Sequence, residues 1–97
     1  MSQAMTPDEI RTTLSELPGW EYRDNALNKT FRLNSFREAV SFLVRIAFEA
    51  EAADHHPEIA IAYSRVVITL RTHAAGDRVT RRDVDLALAV QRISWVG

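Results

Sequence analysis

The chain has no cysteine, which excludes a disulfide frame, a thiolate nucleophile and any cysteine-ligated zinc site, and fits a reducing compartment. With three glycines and three prolines in 97 residues, it is not collagenous, low-complexity or linker-rich. Long apolar runs are missing too. None exceeds five residues, against the roughly 20 that a membrane-spanning helix needs. The first twenty residues carry acids, Thr6-Pro7 and Pro18-Gly19 where a signal peptide would have its apolar segment. Twelve basic side chains against thirteen acidic ones leave a formal net charge of -1, so no strong field draws nucleic acid or an anionic membrane surface. The expected location is cytoplasmic, with neither nucleic acid nor membrane as partner.

What is present is an ordinary globular composition, 46% hydrophobic and 26% charged. The length suits one domain over residues 1–97, with a core modest enough that burial between subunits would supplement it. Residues 1 to 5 read as a frayed start. Thr6-Pro7-Asp8-Glu9 then supplies an N-cap, a proline at the first helical position and first-turn acids, with Ile10, Leu14 and Leu17 at helical spacing and a stop at Pro18-Gly19. Trp20 to Arg23 and Ala26 to Leu33 read as strands joined at Asp24-Asn25. Asn34-Ser35 caps a helix from Phe36 to about Asp54, in which Phe36, Val40, Leu43, Ala47 and Ala50 form one stripe while Phe42, Ile46 and Phe48 form a second. Either the helix is deeply buried, or one face covers the sheet and the other meets a second subunit. Ile59 to Tyr63 and Val66 to His73 form a hairpin turning at Ser64-Arg65, and residues 74–79 form a loop. Thr80 with Asp83 resembles a capping box opening a last helix through Val84, Leu86, Ala87, Leu88, Val90 and Ile93. The order α-β-β-α-β-β-α predicts an α+β domain, a four-stranded antiparallel sheet with three helices on one face.

All three histidines fall between Glu51 and Asp83. Taken singly, each reads as a surface residue or a satisfied core group. As a trio they read differently. His55 and His56 sit where a helix breaks into an X-Pro turn, and a folded-back hairpin would return His73 to them, with strand parity placing it on the polar face beside Val67, Thr69 and Arg71. Three imidazoles can hold a zinc ion, yet adjacent histidines diverge and no HExxH pair is present. Glu51, one helical turn before His55, suits a metal shell or an acid/base site equally. No serine has the surroundings of an activated nucleophile. General acid/base chemistry remains, since an imidazole with a pKa of about 6.5 donates or accepts a proton near neutrality.

Glu51, His55-His56-Pro57, Tyr63, Thr72-His73 and Thr80-Arg81-Arg82-Asp83-Val84 together resemble the signature of the pterin-4a-carbinolamine dehydratase (4a-hydroxytetrahydrobiopterin dehydratase) family. Leu17-Pro18-Gly19-Trp20 and Phe31 to Ala39 extend the likeness, which runs from about Thr6 to Ile93. The resemblance implies a hydro-lyase that uses neither cofactor nor metal and takes a small pterin as substrate. By analogy His55, His56 and His73 are catalytic, Trp20, Pro57 and Glu51 lie near the pterin, and Asp83 or a neighbouring arginine stands at the pocket wall. It also implies a homodimer or homotetramer through the 36–54 helix and the sheet edge. Ile59, Ile61 and Arg71 depart from the family pattern, and the 74–78 loop is longer. Because relatives on this fold include partner-binding and assembly factors, a non-catalytic role is the alternative.

Overall fold

The structure, a computed structural model, describes residues 3–97. Helix α1 (Pro7–Leu14) starts as its sequence dictates: the Thr6 hydroxyl accepts from Glu9 N–H, and the Glu9 carboxylate accepts from Thr6 N–H. The frayed start is corrected for residues 3–5. Ala4 bridges Thr80 and Met5 N–H donates to Val79 O at 2.8 Å, so this segment is tied to the start of the last helix; residues 1 and 2 lie outside the described residues.

Strands β1 (Glu21–Arg23) and β2 (Ala26–Arg32) are joined by Asp24 and Asn25 at φ 55° and 61°, left-handed values that a two-residue hairpin demands and Asp and Asn tolerate. Ser35 caps α2 (Phe36–Ala53), its hydroxyl accepting from Glu38 N–H at 3.1 Å. The second hairpin, β3 (Glu58–Ala62) and β4 (Arg65–Leu70), turns at Tyr63-Ser64, one residue earlier than expected, with Tyr63 at φ 55°. Thr80 caps α3 (Arg81–Ile93).

All pairings are antiparallel and the strand order is β1-β2-β4-β3. Period two decides which face is buried. Leu27 and Phe31 of β2 stand opposite Leu70 and Val66 of β4, with Ile68 between them, and all five are buried. Ile10 of α1, Ala39, Phe42, Ile46 and Ala50 of α2, and Val84, Leu86, Ala87 and Val90 of α3 complete the same core, which makes the α+β arrangement with its helices against one sheet face.

The two apolar stripes of α2 are sorted differently from the sequence grouping, Ala50 of the first being buried and Phe48 of the second exposed. The stripe Ala39-Phe42-Ile46-Ala50 is buried, whereas Phe36, Val40, Val44 and Phe48 are 39% to 70% exposed. A helix apolar on two adjacent faces gives periodicity nothing to choose between; the sheet chooses, because Phe42 packs edge-on against Phe31 with ring centroids 4.9 Å apart.

Candidate active site

Three chain reversals build the site. At the end of α2, Asp54 takes φ 51° and His55 N–H closes onto Ala50 O at 3.1 Å, a Schellman-type ending that halts the helix before Pro57 is reached. The reversal sends His55 inward, 8% exposed, and leaves His56 outside. Past β4, Thr72 N–H donates to Arg78 O at 2.8 Å, and a 3-10 turn over His73–Ala75 ends at Gly76, φ 76°. His73 therefore opens a turn instead of ending a strand. The third element is the first turn of α3.

These segments enclose a cavity of about 230 Å³. Asp54, His55 and His56 line it from the end of α2, Arg71, Thr72, His73 and Ala74 from beyond β4, and Arg82 from α3. The trio that sequence spacing brings together thus shares one cavity.

Each imidazole has its own carboxylate. Asp83 is fully buried, and its Oδ1 lies 2.5 Å from His55 Nε2. Its Oδ2 accepts from Thr72 Oγ1 at 2.8 Å and from Thr80 N–H at 2.9 Å. An ionised carboxylate only accepts, so the directions of the whole network follow. Thr72 commits its proton to Asp83, so Thr80 donates to Thr72 Oγ1 across 2.8 Å and itself accepts from Arg82 N–H. His55 must carry its proton on Nε2, which leaves Nδ1 as its basic nitrogen. His56 Nε2 meets Glu51 Oε1 at 3.1 Å, and His73 Nδ1 pairs with Asp77 Oδ1, fixing those tautomers by the same logic. Among the described residues no group of three His, Asp or Glu side chains is disposed to share a metal ion.

The other expected site residues are placed as follows. Glu51 orients His56 from outside the cavity lining. Of Asp83 or a neighbouring arginine, it is Arg82 that stands at the wall, while Asp83 stands behind His55, because a buried carboxylate needs the donors that Thr72, Thr80 and the start of α3 supply. Pro57 is half-buried and does not line this cavity. Trp20 is not at the cavity: it is 5% exposed in the core, edge-on to Phe31, its Nε1–H donating to Gln91 Oε1 at 3.1 Å. An indole whose one polar atom finds a partner inside gains more from the core than from a rim. Tyr63 lies at the far end of the β3–β4 hairpin, 83% exposed. Missed by the sequence reading were Asp77, Thr80 as a network member, and Asp54 and Ala74 as cavity walls. Signals existed for Asp77, four residues after His73, and for Thr80, whose capping box with Asp83 already placed it beside that carboxylate.

The fold and this cavity define a class: a small α+β domain whose paired histidines are suited to moving protons on a bound molecule. The sequence pattern described as pterin 4 alpha carbinolamine dehydratase matches residues 3–93, and the chain belongs to that family. A protein of Opitutus terrae, provisionally named pterin-4-alpha-carbinolamine dehydratase, is 54% identical over the whole of both chains. One of Roseiflexus sp. with the same provisional name is 43% identical over 96% of this chain and 99% of its own. A solved structure from Brucella melitensis, described as a transcriptional coactivator/pterin dehydratase, superposes with a TM-score of 0.88 at 35% identity, covering 94% of this chain and 98% of that one. A pterin dehydratase-like protein identified as a RuBisCO assembly factor shares the fold at a TM-score of 0.64 and 23% identity, covering 80% and 89%.

Proposed function

We propose that this protein dehydrates 4a-hydroxytetrahydropterin to quinonoid dihydropterin and water, returning the reduced pterin of aromatic amino-acid hydroxylases to use. The observation that carries the reading is the convergence of three carboxylate-paired imidazoles on one cavity. In the elimination an acid protonates the 4a-hydroxyl, the C4a–O bond breaks, and the N5–H proton passes to a base as its electrons close the C4a–N5 double bond. His55 is assigned as the acid, in its imidazolium form with Nε2–H held by Asp83 and Nδ1–H given to the 4a-hydroxyl, and His73, whose Nδ1–H is held by Asp77, as the base through Nε2, with His56 orienting the pterin. Glu51 and Asp83 act as positioning residues through His56 and His55. The elimination loses water without an overall two-electron oxidation or reduction and is assisted by two proton transfers that imidazoles can perform, so the reading invokes neither a cofactor nor a metal, and it suits a cytoplasmic enzyme.

Stopped-flow decay of 4a-hydroxytetrahydropterin tests the proposal. Acceleration over the spontaneous rate, undiminished by a chelator, is expected. Removing either His55 or His73 by substitution with Ala should lower kcat about a hundredfold or more. Near-normal turnover by both variants would sink the assignment, and chelator-sensitive activity would sink the metal-free chemistry.

A second reading has one observation behind it. The exposed apolar face of α2, Phe36, Val40, Val44 and Phe48, suits a homodimer or homotetramer formed by this helix, with the outer strands of the sheet as the other contact. The same face would serve a partner-binding or assembly factor, and absence of catalysis in the stopped-flow assay would favour that role.

A further inference from the structure

Arg71 stands at the cavity wall, and its side chain makes no hydrogen bond to any described residue. It directly follows the last residue of β4, and its side chain is 29% exposed. Its Nε is the one buried side-chain nitrogen or oxygen among the described residues that has no hydrogen-bond partner. The carboxylate beside it is Glu58, at 3.7 Å and 69% exposed, beyond hydrogen-bond reach and one of the exposed pairs that contribute little. A buried donor left without an acceptor is unfavourable, and an incoming acceptor relieves it.

A second guanidinium, that of Arg82, lines the same cavity and gives one terminal nitrogen to Asp54 O. Glu51, Asp77 and Asp83 are each engaged by a histidine and none of them hydrogen-bonds Arg71 or Arg82, so what marks the two guanidinium groups is their unused donors and not a net positive charge. A reduced pterin ring is neutral near pH 7 and does not call for two guanidinium groups. Planar forks of this kind match the paired oxygens of carboxylate and phosphate.

Resting on the dehydratase reading above, we propose that Arg71 and Arg82 form an oxyanion subsite, and that the preferred substrate is a 4a-hydroxytetrahydropterin whose C6 side chain carries a phosphate or carboxylate. Arg71 is the specificity-determining residue and Glu58 a weak placeholder that the substrate anion displaces.

The test compares kcat/KM for three 4a-hydroxytetrahydropterins, with neutral hydroxymethyl, phosphorylated hydroxymethyl and glutamate-bearing side chains. The quantity read is the ratio of anionic to neutral substrate. In the unmodified protein it should be tenfold or more for at least one anion, which also tells phosphate from carboxylate, and should shrink with added salt. Arg71→Ala should lower the ratio at least tenfold, and Glu58→Gln should raise it. A ratio near one in the unmodified protein, or one that Arg71→Ala leaves unchanged, overturns the subsite. If no substrate is turned over, the dehydratase reading fails while the subsite stays testable. Calorimetric binding of a tetrahydropterin phosphate against its alcohol should then show the same preference, lost in Arg71→Ala; equal affinities overturn it.

Discussion

At the scale of residues, the site depends on directed protons. Asp83 uses one carboxylate oxygen to hold His55 and the other to receive Thr72 and Thr80. Asp83→Asn puts an amide with two donors where only acceptors fit, so either His55 Nε2–H or the Thr72–Thr80 side meets a competing donor. The expected result is a kcat lower by about 10²–10⁴ through the wrong His55 tautomer, with the fold intact by circular dichroism. Nitrogen NMR of His55 should show the proton moved from Nε2; an unchanged tautomer together with lost activity would point to another role for Asp83. The histidines and Asp83 were legible as a motif. The Thr80–Asp83 contact was legible as a capping box, but the pairing of Asp83 with His55 and Thr72 was not, because those partners meet it only when the end of α2 and the β4 extension reach the start of α3.

At the scale of elements, caps and turns followed their local rules closely. Thr6 with Glu9 and Thr80 with Asp83 make reciprocal capping boxes, and Asp24-Asn25 makes a hairpin turn. Such features are legible because they rest on residues within a few positions of one another. The β3–β4 turn was displaced because it spends its left-handed position on Tyr63, a residue with no preference for it. Tyr63 is 83% exposed, so Tyr63→Gly loses little packing and relieves the backbone. It should stabilise the isolated chain by about 0.5–1 kcal/mol, seen as a rise in Tm of a few degrees. A fall in Tm would instead show Tyr63 held by a contact with another chain.

At the scale of the whole molecule, Lys29 links parts far apart in sequence. Its Nζ donates to Pro18 O and Gln91 Oε1, each at 2.8 Å, and to Gly97 O, and sits over the Phe31 ring. Burial holds its pKa below the usual 10.5, so between the lowered value and 10.5 the folded state binds fewer protons than the unfolded one. Stability contributed at this position therefore rises with pH across that window, while at lower pH the charged amine is buried at a constant cost. Urea unfolding of the protein and of Lys29→Met should show their difference moving in favour of Lys29 as pH approaches 10.5; a difference independent of pH would refute it. The exposed α2 face carries the other prediction at this scale. Val44→Glu should lower the mass seen by light scattering, and a monomeric mass for the unmodified protein would remove the proposed assembly.

By itself the sequence determined the order of elements, the caps, the first hairpin turn and the grouping of the histidines, because short-range periodicity and turn chemistry specify all of these. Only the tertiary structure decided which stripe of α2 is buried, that Trp20 belongs to the core, that Asp83 lies behind His55, and that Arg71 faces the cavity without an acceptor. Each of these depends on contacts between segments distant in the chain, where packing and the pairing of buried polar groups select among local arrangements that the sequence alone leaves equally possible.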